Sequence, residues 1–231
     1  MMKNEHLSPA ELEKKTAALA AVEFVKNGDL VGLGTGSTAK YAIEAIGEKV
    51  KSGLKIKAVA TSVKTAELAN TFGIEMLDLS KVDYLDISID GADEFTKDLN
   101  LIKGGGGALF REKIVASLTK NSIIVADSSK LVATLGAFTL PIEIVPLAYQ
   151  YAFNEIEKLG GKCVLRKVNG EIYNTDNGNV ILDTDFGLIE KPEALSMRLN
   201  QIVGVFAQGL FIGLTQKIMM SSGKSVEVFE K

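Results

Sequence analysis

Between residues 30 and 126, short apolar runs alternate with stretches of helical pattern, and most runs end in a turn of glycine, aspartate or hydroxyl residues. The runs lie at 30–33, 56–60, 74–77, 84–89 and 122–126, and helical pattern occupies 39–51, 62–72 and 108–119. Each run is short and bounded by turn residues, which marks it as a strand. Strands that alternate with helices need crossover connections, so the chain is predicted to be α/β, with an open, mostly parallel sheet and helices on both faces. In such sheets ligands bind beyond the carboxyl ends of the strands. The glycine-rich turns fall at those ends and are predicted to converge on one edge.

A helix precedes this pattern. Ser8 is placed to cap it, Pro9 suits its first position and Glu11 completes a capping box. Leu12, Ala17, Ala20, Phe24 and Val25 give it an apolar side, and it is expected to stop near Asn27-Gly28. After Pro141 and Pro146 the texture changes. A helical stretch at 148–159 closes on Gly160 and Gly161, strands at 163–168 and 180–183 flank a polar turn at 174–179, and a helix follows at 193–201. This predicts a smaller α+β domain over residues 137–204, with short antiparallel strands and helices on one side. Residues 1–136 and 205–231 form the larger domain, to whose sheet the apolar positions 211–212 and 218–220 return.

With 231 residues, 46% of them apolar and 24% charged, the chain has the make-up of a globular protein with a substantial core. A net charge of −3 gives no field for nucleic acid or an acidic membrane surface, so neither is an expected partner. An anionic ligand must therefore find its cations locally. The single Cys163 excludes an internal disulfide framework and fits a reducing compartment. No apolar run reaches the ~18 residues that would span a bilayer, and residues 1–6 lack the apolar core of a secretory signal. The expectation is a cytoplasmic protein.

Candidate chemistry sits in the turns. Gly34-Thr35-Gly36-Ser37-Thr38 passes from a strand into a helix, where glycines, hydroxyls and helical N–H groups suit a phosphate ester. The same residues equally make a tight turn with a helix cap. No third glycine completes a dinucleotide fingerprint, and no Gly-Lys-Ser/Thr completes a P-loop. Thr61 and Ser62 stand after another strand, as further donors or as a simple N-cap. Asp90-Gly91-Ala92-Asp93 follows a third strand, where an acid suits a site and a turn alike. A divalent cation between these acids lacks evident completing ligands and would compete with Lys103, so no metal is expected.

Lys103-Gly104-Gly105-Gly106-Gly107 lies between ordered elements, which argues for a turn wrapping a ligand, with Lys103 reaching in, over a flexible linker. Glu112, early in the next helix, has a plain reading as a solvated acid favoured by the macrodipole. Asp127-Ser128-Ser129-Lys130 follows another strand and offers Lys130 to a phosphate or hydroxyl, or as a surface lysine. His6, the only histidine, stands in the opening segment and is no candidate base. Cys163 has no histidine partner and is expected to pack as a small apolar residue.

Carboxylates and lysines beside a phosphate cradle, without a histidine, a metal motif or a nucleotide fingerprint, suit proton transfer between adjacent carbons of a sugar phosphate. One carboxylate takes the proton α to the carbonyl and returns it to the neighbouring carbon through an enediolate. A lysine and backbone N–H groups stabilise the oxyanion. No organic cofactor is needed.

The blocks at 31–39, at 90–94, at 103–109 with Arg111-Glu112-Lys113, at 127–130, at 140–146 and at 175–179 stand in one order over nearly the whole chain. Together they resemble the type A ribose-5-phosphate isomerases. That resemblance implies a Rossmann-like α/β catalytic domain with a smaller α+β domain. It implies interconversion of D-ribose 5-phosphate and D-ribulose 5-phosphate in the non-oxidative pentose phosphate pathway, without metal or cofactor, by a homodimer or homotetramer. Glu112 would be the base between C1 and C2, Lys103 and Asp93 would stabilise the enediolate, and Asp90 would help open the furanose. Substrate contacts are implied for Thr35, Gly36, Ser37 and Thr38, for Asp90, Gly91, Ala92 and Asp93, for Lys103, Gly104, Gly105 and Gly106, and for Lys130.

The tail departs from the family pattern. Gly209-Leu210-Phe211 continues as Ile212-Gly213-Leu214-Thr215-Gln216-Lys217, without the usual acid-bearing strand, a change expected to lie away from the chemistry. Two rivals fit less well. A non-catalytic sugar-phosphate-binding regulator would need a helix-turn-helix, for which the stretch before Ser8 leaves no room. A CoA-transferase-like enzyme with a nucleophilic glutamate would need a larger site than a hydroxyl-rich phosphate cradle.

Overall fold

A computed structural model describes residues 7–230; His6 with the rest of the opening segment, and Lys231, lie outside the described residues. Seven strands form the main sheet in the order Ser225–Glu230, Lys217–Ser222, Thr119–Asp127, Leu85–Asp90, Leu30–Leu33, Lys57–Ala60, Glu75–Met76. Every neighbouring pair is parallel except the C-terminal hairpin. Alternate side chains of a strand leave opposite faces, and both faces here are covered, which is why the runs read as continuously apolar. Ile123 and Val125 join Leu33, Ile87 and Ile89 in a core with helices Pro9–Val22 and Ser37–Lys51. Ile124 and Ala126 face the other way, onto Phe95, Leu101 and Phe211. On that second face Val115 of helix Leu109–Leu118 packs with Val59 and Leu85. Fully buried Leu33, Ile46 and Ile89 each contribute roughly 1.5–3 kcal/mol by leaving water.

The first helix carries the expected capping box, with Ser8 and Glu11 bonding each other's backbone. It ends at Val22 rather than near Asn27. Phe24 and Val25 donate to carbonyls only three residues back, and the Lys26 N–H turns to Asp29 Oδ2 at 2.7 Å.

The chain leaves Leu30–Leu33 for Lys57–Ala60 on one side and later returns to lay Leu85–Asp90 on the other. The strand order therefore reverses between Leu30–Leu33 and Leu85–Asp90, and a crevice opens beyond their carboxyl ends. The turns at 34–38 and 90–93 sit there.

A second sheet, all antiparallel, has the order Val205–Gln208, Leu140–Ile144, Val180–Asp185, Lys162–Leu165. Leu140, Ile142, Ile144 and Leu182 pack on Ala152 and Ile156 of helix Tyr149–Lys158 and Leu199 of helix Pro192–Asn200. Its other face sets Ile181 and Ala207 against Leu109 and Phe110, at the start of the helix that carries Glu112. The pairing of Val205–Gln208 with Leu140–Ile144 carries this sheet past residue 204. A three-stranded ribbon of Glu94–Phe95, Leu101–Ile102 and Leu210–Phe211 lies under the crevice.

Candidate active site

The cradle is built by close backbone approach. Leu33 pairs with Ile89, and the Gly34 N–H donates to Ile89 O at 3.0 Å, which brings Gly34 beside Asp90. A β-carbon at Gly34 would stand 2.1 Å from Asp90 Oδ1, so only glycine fits. Asp90 Oδ1 then accepts from the N–H groups of Thr35 (3.1 Å) and Gly91 (2.8 Å), tying the two turns together. Gly36, at φ +116°, precedes helix Ser37–Lys51 without a side-chain cap, so the first N–H groups of that helix are open to an anion. The Thr35 hydroxyl turns away into a cluster with Thr61 (2.6 Å), Ser62 (2.9 Å) and Thr65 (3.1 Å). Ser62 caps the helix Val63–Thr71, so Thr61 and Ser62 buttress the cradle from behind.

Lys103 is delivered by the ribbon: it follows Leu101–Ile102, and its N–H donates to Gly209 O at 2.9 Å. Lys103 is 3% exposed, and its ammonium lies 3.1 Å from Asp90 Oδ2 and 3.5 Å from Glu112 Oε1, and donates to Gly91 O. Glu112 is buried on the first turns of its helix, and its Oε2 has no hydrogen-bond partner among the described residues. Burial pushes the Glu112 carboxyl up to about 8; Lys103 opposes this, and Asp90 and Asp93 reinforce it. Burial also raises Asp90, against Lys103 and the N–H groups of Gly91 and Thr35. Burial alone would lower Lys103, but Asp90, Glu112 and Asp93 outweigh it and hold the ammonium above its ordinary value. The product is a fixed cation beside a carboxyl poised near neutrality.

The glycine loop closes the crevice. Gly105 donates its N–H to Asp93 Oδ2 at 2.7 Å, and Gly104 and Gly107 take φ of +106° and +80°. The resulting cleft, about 110 Å³, is lined by Thr35 to Thr38, Gly91 to Asp93, Lys103 to Gly106, Glu112 and Lys130. Asp90 is the exception among the candidates. It lies beneath the floor, behind Lys103, with both oxygens engaged.

Lys14 also lines the cleft, with its ammonium 3.1 Å from Ser37 Oγ. No sequence motif marks it, because it stands on the first helix with ordinary helical pattern around it. Lys130 stands on a turn that Asp127 organises by accepting from Ser129. Within the departing segment, Thr215 is buried behind the Lys103–Glu112 pair, closer to the chemistry than expected, while Phe211 just before it has its ring centroid 5.5 Å from Lys103 Nζ. A larger groove of about 530 Å³ runs past Ala66, Leu77, Phe110 and Arg111, but the acids and lysines of the cleft do not line it.

The ribose 5-phosphate isomerase A (phosphoriboisomerase A) family matches residues 57–225. Ribose-5-phosphate isomerase A of Parvibaculum lavamentivorans is 46% identical over 228 residues, covering 96% of this chain and 99% of that one. The chain belongs to the ribose 5-phosphate isomerase A family. Solved members of the family share its whole fold. A D-ribose-5-phosphate isomerase in complex with phospho-erythronic acid superposes with a TM-score of 0.92 at 37% identity, over 96% of this chain and 99% of the other. The ribose 5-phosphate isomerase of Plasmodium falciparum gives 0.91 at 39% identity, over 95% and 98%. As a family member the chain is an isomerase with a mixed, mostly parallel main sheet, the fold class its sequence predicts. No helix among the described residues is long and apolar enough to cross a membrane.

Proposed function

We propose that this isomerase interconverts D-ribose 5-phosphate and D-ribulose 5-phosphate by proton transfer through an enediolate, the aldose–ketose step of the non-oxidative pentose phosphate pathway. One observation carries the mechanism: Glu112 has Oε1 beside Lys103 and Oε2 buried without a partner. A carboxylate held at one oxygen and free at the other is a positioned base. Glu112 Oε2 removes the proton from C2 of the open-chain aldose, and the electron pair moves through C1 onto O1. Lys103 and the Gly106 N–H of the glycine loop stabilise the enediolate oxygens. The carbon-bound proton returns from Glu112 to C1, while the hydroxyl proton of O2 passes to O1, and the ketose is complete.

Asp93, which lines the cleft, is assigned to this hydroxyl proton transfer and to ring opening. Asp90, whose oxygens are taken, holds Lys103 and the cradle in register. The phosphate sits at the N-terminus of helix Ser37–Lys51, between Ser37, Thr38 and Lys14. An assembly of two or four copies is part of the same proposal, and sedimentation would measure it.

The decisive experiment supplies ribose 5-phosphate in deuterated water with a chelator present. Ribulose 5-phosphate carrying solvent deuterium at C1 supports proton transfer. Conversion without any deuterium would leave a hydride shift or a proton returned before it exchanges, and no conversion would end the assignment.

A further inference from the structure

The glycine loop is held from outside the cleft by the smaller sheet. Arg166 follows the strand Lys162–Leu165, and its guanidinium is gripped by Asp183: Nε lies 2.9 Å from Oδ2, and Nη2 bonds Oδ1. The remaining nitrogen, Nη1, donates to the carbonyls of both Gly104 (2.9 Å) and Gly105 (3.1 Å). Tyr173 continues the line, with its ring centroid 5.9 Å from the guanidinium carbon and its hydroxyl 3.4 Å from Gly106 O.

All peptide bonds described are trans, and in a trans peptide the C=O and N–H point in opposite directions. The Gly104–Gly105 peptide is thus pinned at both ends, its carbonyl on Arg166 and its N–H on Asp93. The Gly105–Gly106 peptide has its carbonyl on the same arginine, so the Gly106 N–H points away from Arg166 and has no partner among the described residues. Glycines have no side chains to fix such a turn, and an unbraced peptide rotates freely.

We propose that Arg166, anchored by Asp183, is a positioning residue for the isomerisation. It holds the Gly104 and Gly105 carbonyls outward so that the loop presents the Gly106 N–H to the oxyanion side of the substrate. The fixed fork of arginine suits a task that needs two carbonyls and a carboxylate at once. The assignment rests on the isomerase activity proposed above and extends it to the smaller sheet, which touches no reacting atom.

Arg166→Met and Arg166→Lys test it, by steady-state kinetics on ribose 5-phosphate and by calorimetry with two probes, phospho-erythronic acid and inorganic phosphate. In Arg166→Met, kcat is expected to fall roughly 10- to 100-fold with KM changed by less than about threefold. Phospho-erythronic acid, whose carboxylate takes the place of the reacting carbons, is expected to weaken about tenfold while phosphate holds within about twofold. Arg166→Lys, which keeps the charge and loses the fork, falls between.

Wild-type kcat in Arg166→Met overturns the assignment, and so does parallel weakening of both probes, which would mean general loosening. If Arg166→Met does not fold, the same split is required of Arg166→Lys, and its absence there overturns the assignment. An inactive wild type would instead overturn the isomerase proposal, and the two binding measurements would still judge the loop.

Discussion

Lys103 and Lys113 share one aromatic ring: their ammonium groups lie 5.5 and 4.8 Å from the centroid of Phe211. Their electrostatics differ in kind. Lys103 has carboxylates around it and stays charged, whereas Lys113, among the described residues, donates only to the carbonyls of Gln208 and Leu210. Burial without a carboxylate pulls Lys113 down to about 8. Those two carbonyls flank Gly209, whose own carbonyl takes the Lys103 N–H, so the neutral-prone lysine steadies the backbone of the charged one.

Lys113 should leave a pH signature on stability. Between pH 8 and the ordinary lysine value of about 10.5 the unfolded chain binds this proton and the folded chain does not, so stability at this site rises with pH. Thermal melts of wild type and Lys113→Met at pH 8 and pH 10 should show the difference between them shifting in favour of wild type at the higher pH. A constant difference would mean that Lys113 is not held down by burial.

Removing the base costs activity and gains stability. Glu112→Gln should lower kcat by about 10³-fold or more and keep the fold. A carboxyl raised in the folded state binds its proton there between pH 4.5 and about 8 while the unfolded chain releases it, so stability at this site falls across that window. Denaturant midpoints should therefore favour Glu112→Gln over wild type more strongly at pH 8 than at pH 5.

The same carboxyl should govern the acid limb of catalysis. Only ionised Glu112 can accept the C2 proton, so log(kcat/KM) should climb with pH toward about 8, well above the usual carboxylate range. A profile taken from pH 5 to 9.5 checks this, and a midpoint between 4 and 5 would exclude Glu112 as the titrating base.

Gly34→Ala should disable the site through a residue that touches no substrate. The added methyl meets Asp90 at 2.1 Å and must displace it, releasing both Thr35 and Lys103. Stability should fall by about 1–3 kcal/mol, with a larger proportional loss in kcat. Urea melts and kinetics on the same sample separate the two effects.

Lys14→Met should raise KM at least about tenfold with kcat little changed, because a phosphate anchor remote from the reacting carbons binds ground state and transition state alike. A fall in kcat at constant KM would place Lys14 in the chemistry instead.

Periodicity made the parallel sheet and its covering helices legible, because every central strand is buried on both faces and sits in a turn-bounded apolar run. Leu140–Ile144 carries no strand signal in sequence, because Pro141 and Pro146 mark it as loop and its Glu143 reads as surface. Glu143 is in fact fully buried, accepting from Thr175, Asn177 and Asn179. The ribbon of two-residue strands is too short to leave a period at all. Among site residues, the glycine and acid turns announced themselves locally. Glu112 needed the family resemblance, since nothing around it in sequence says that it is buried. Lys14 and Arg166 act across gaps of 23 and about 60 residues, distances over which only the folded backbone brings residues together.

The strand Lys217–Ser222 lies directly against Thr119–Asp127, and Glu13 links both ends of the chain by accepting from Ser128 and Gly223. A ribosome making this protein has therefore exposed the turn that bears Lys130 long before the hairpin that covers its strand emerges. Until then Thr119–Asp127 is an open, apolar edge, the kind of surface through which nascent chains pair with one another. The strand that bears the site's turn is therefore covered only by residues made some ninety positions later.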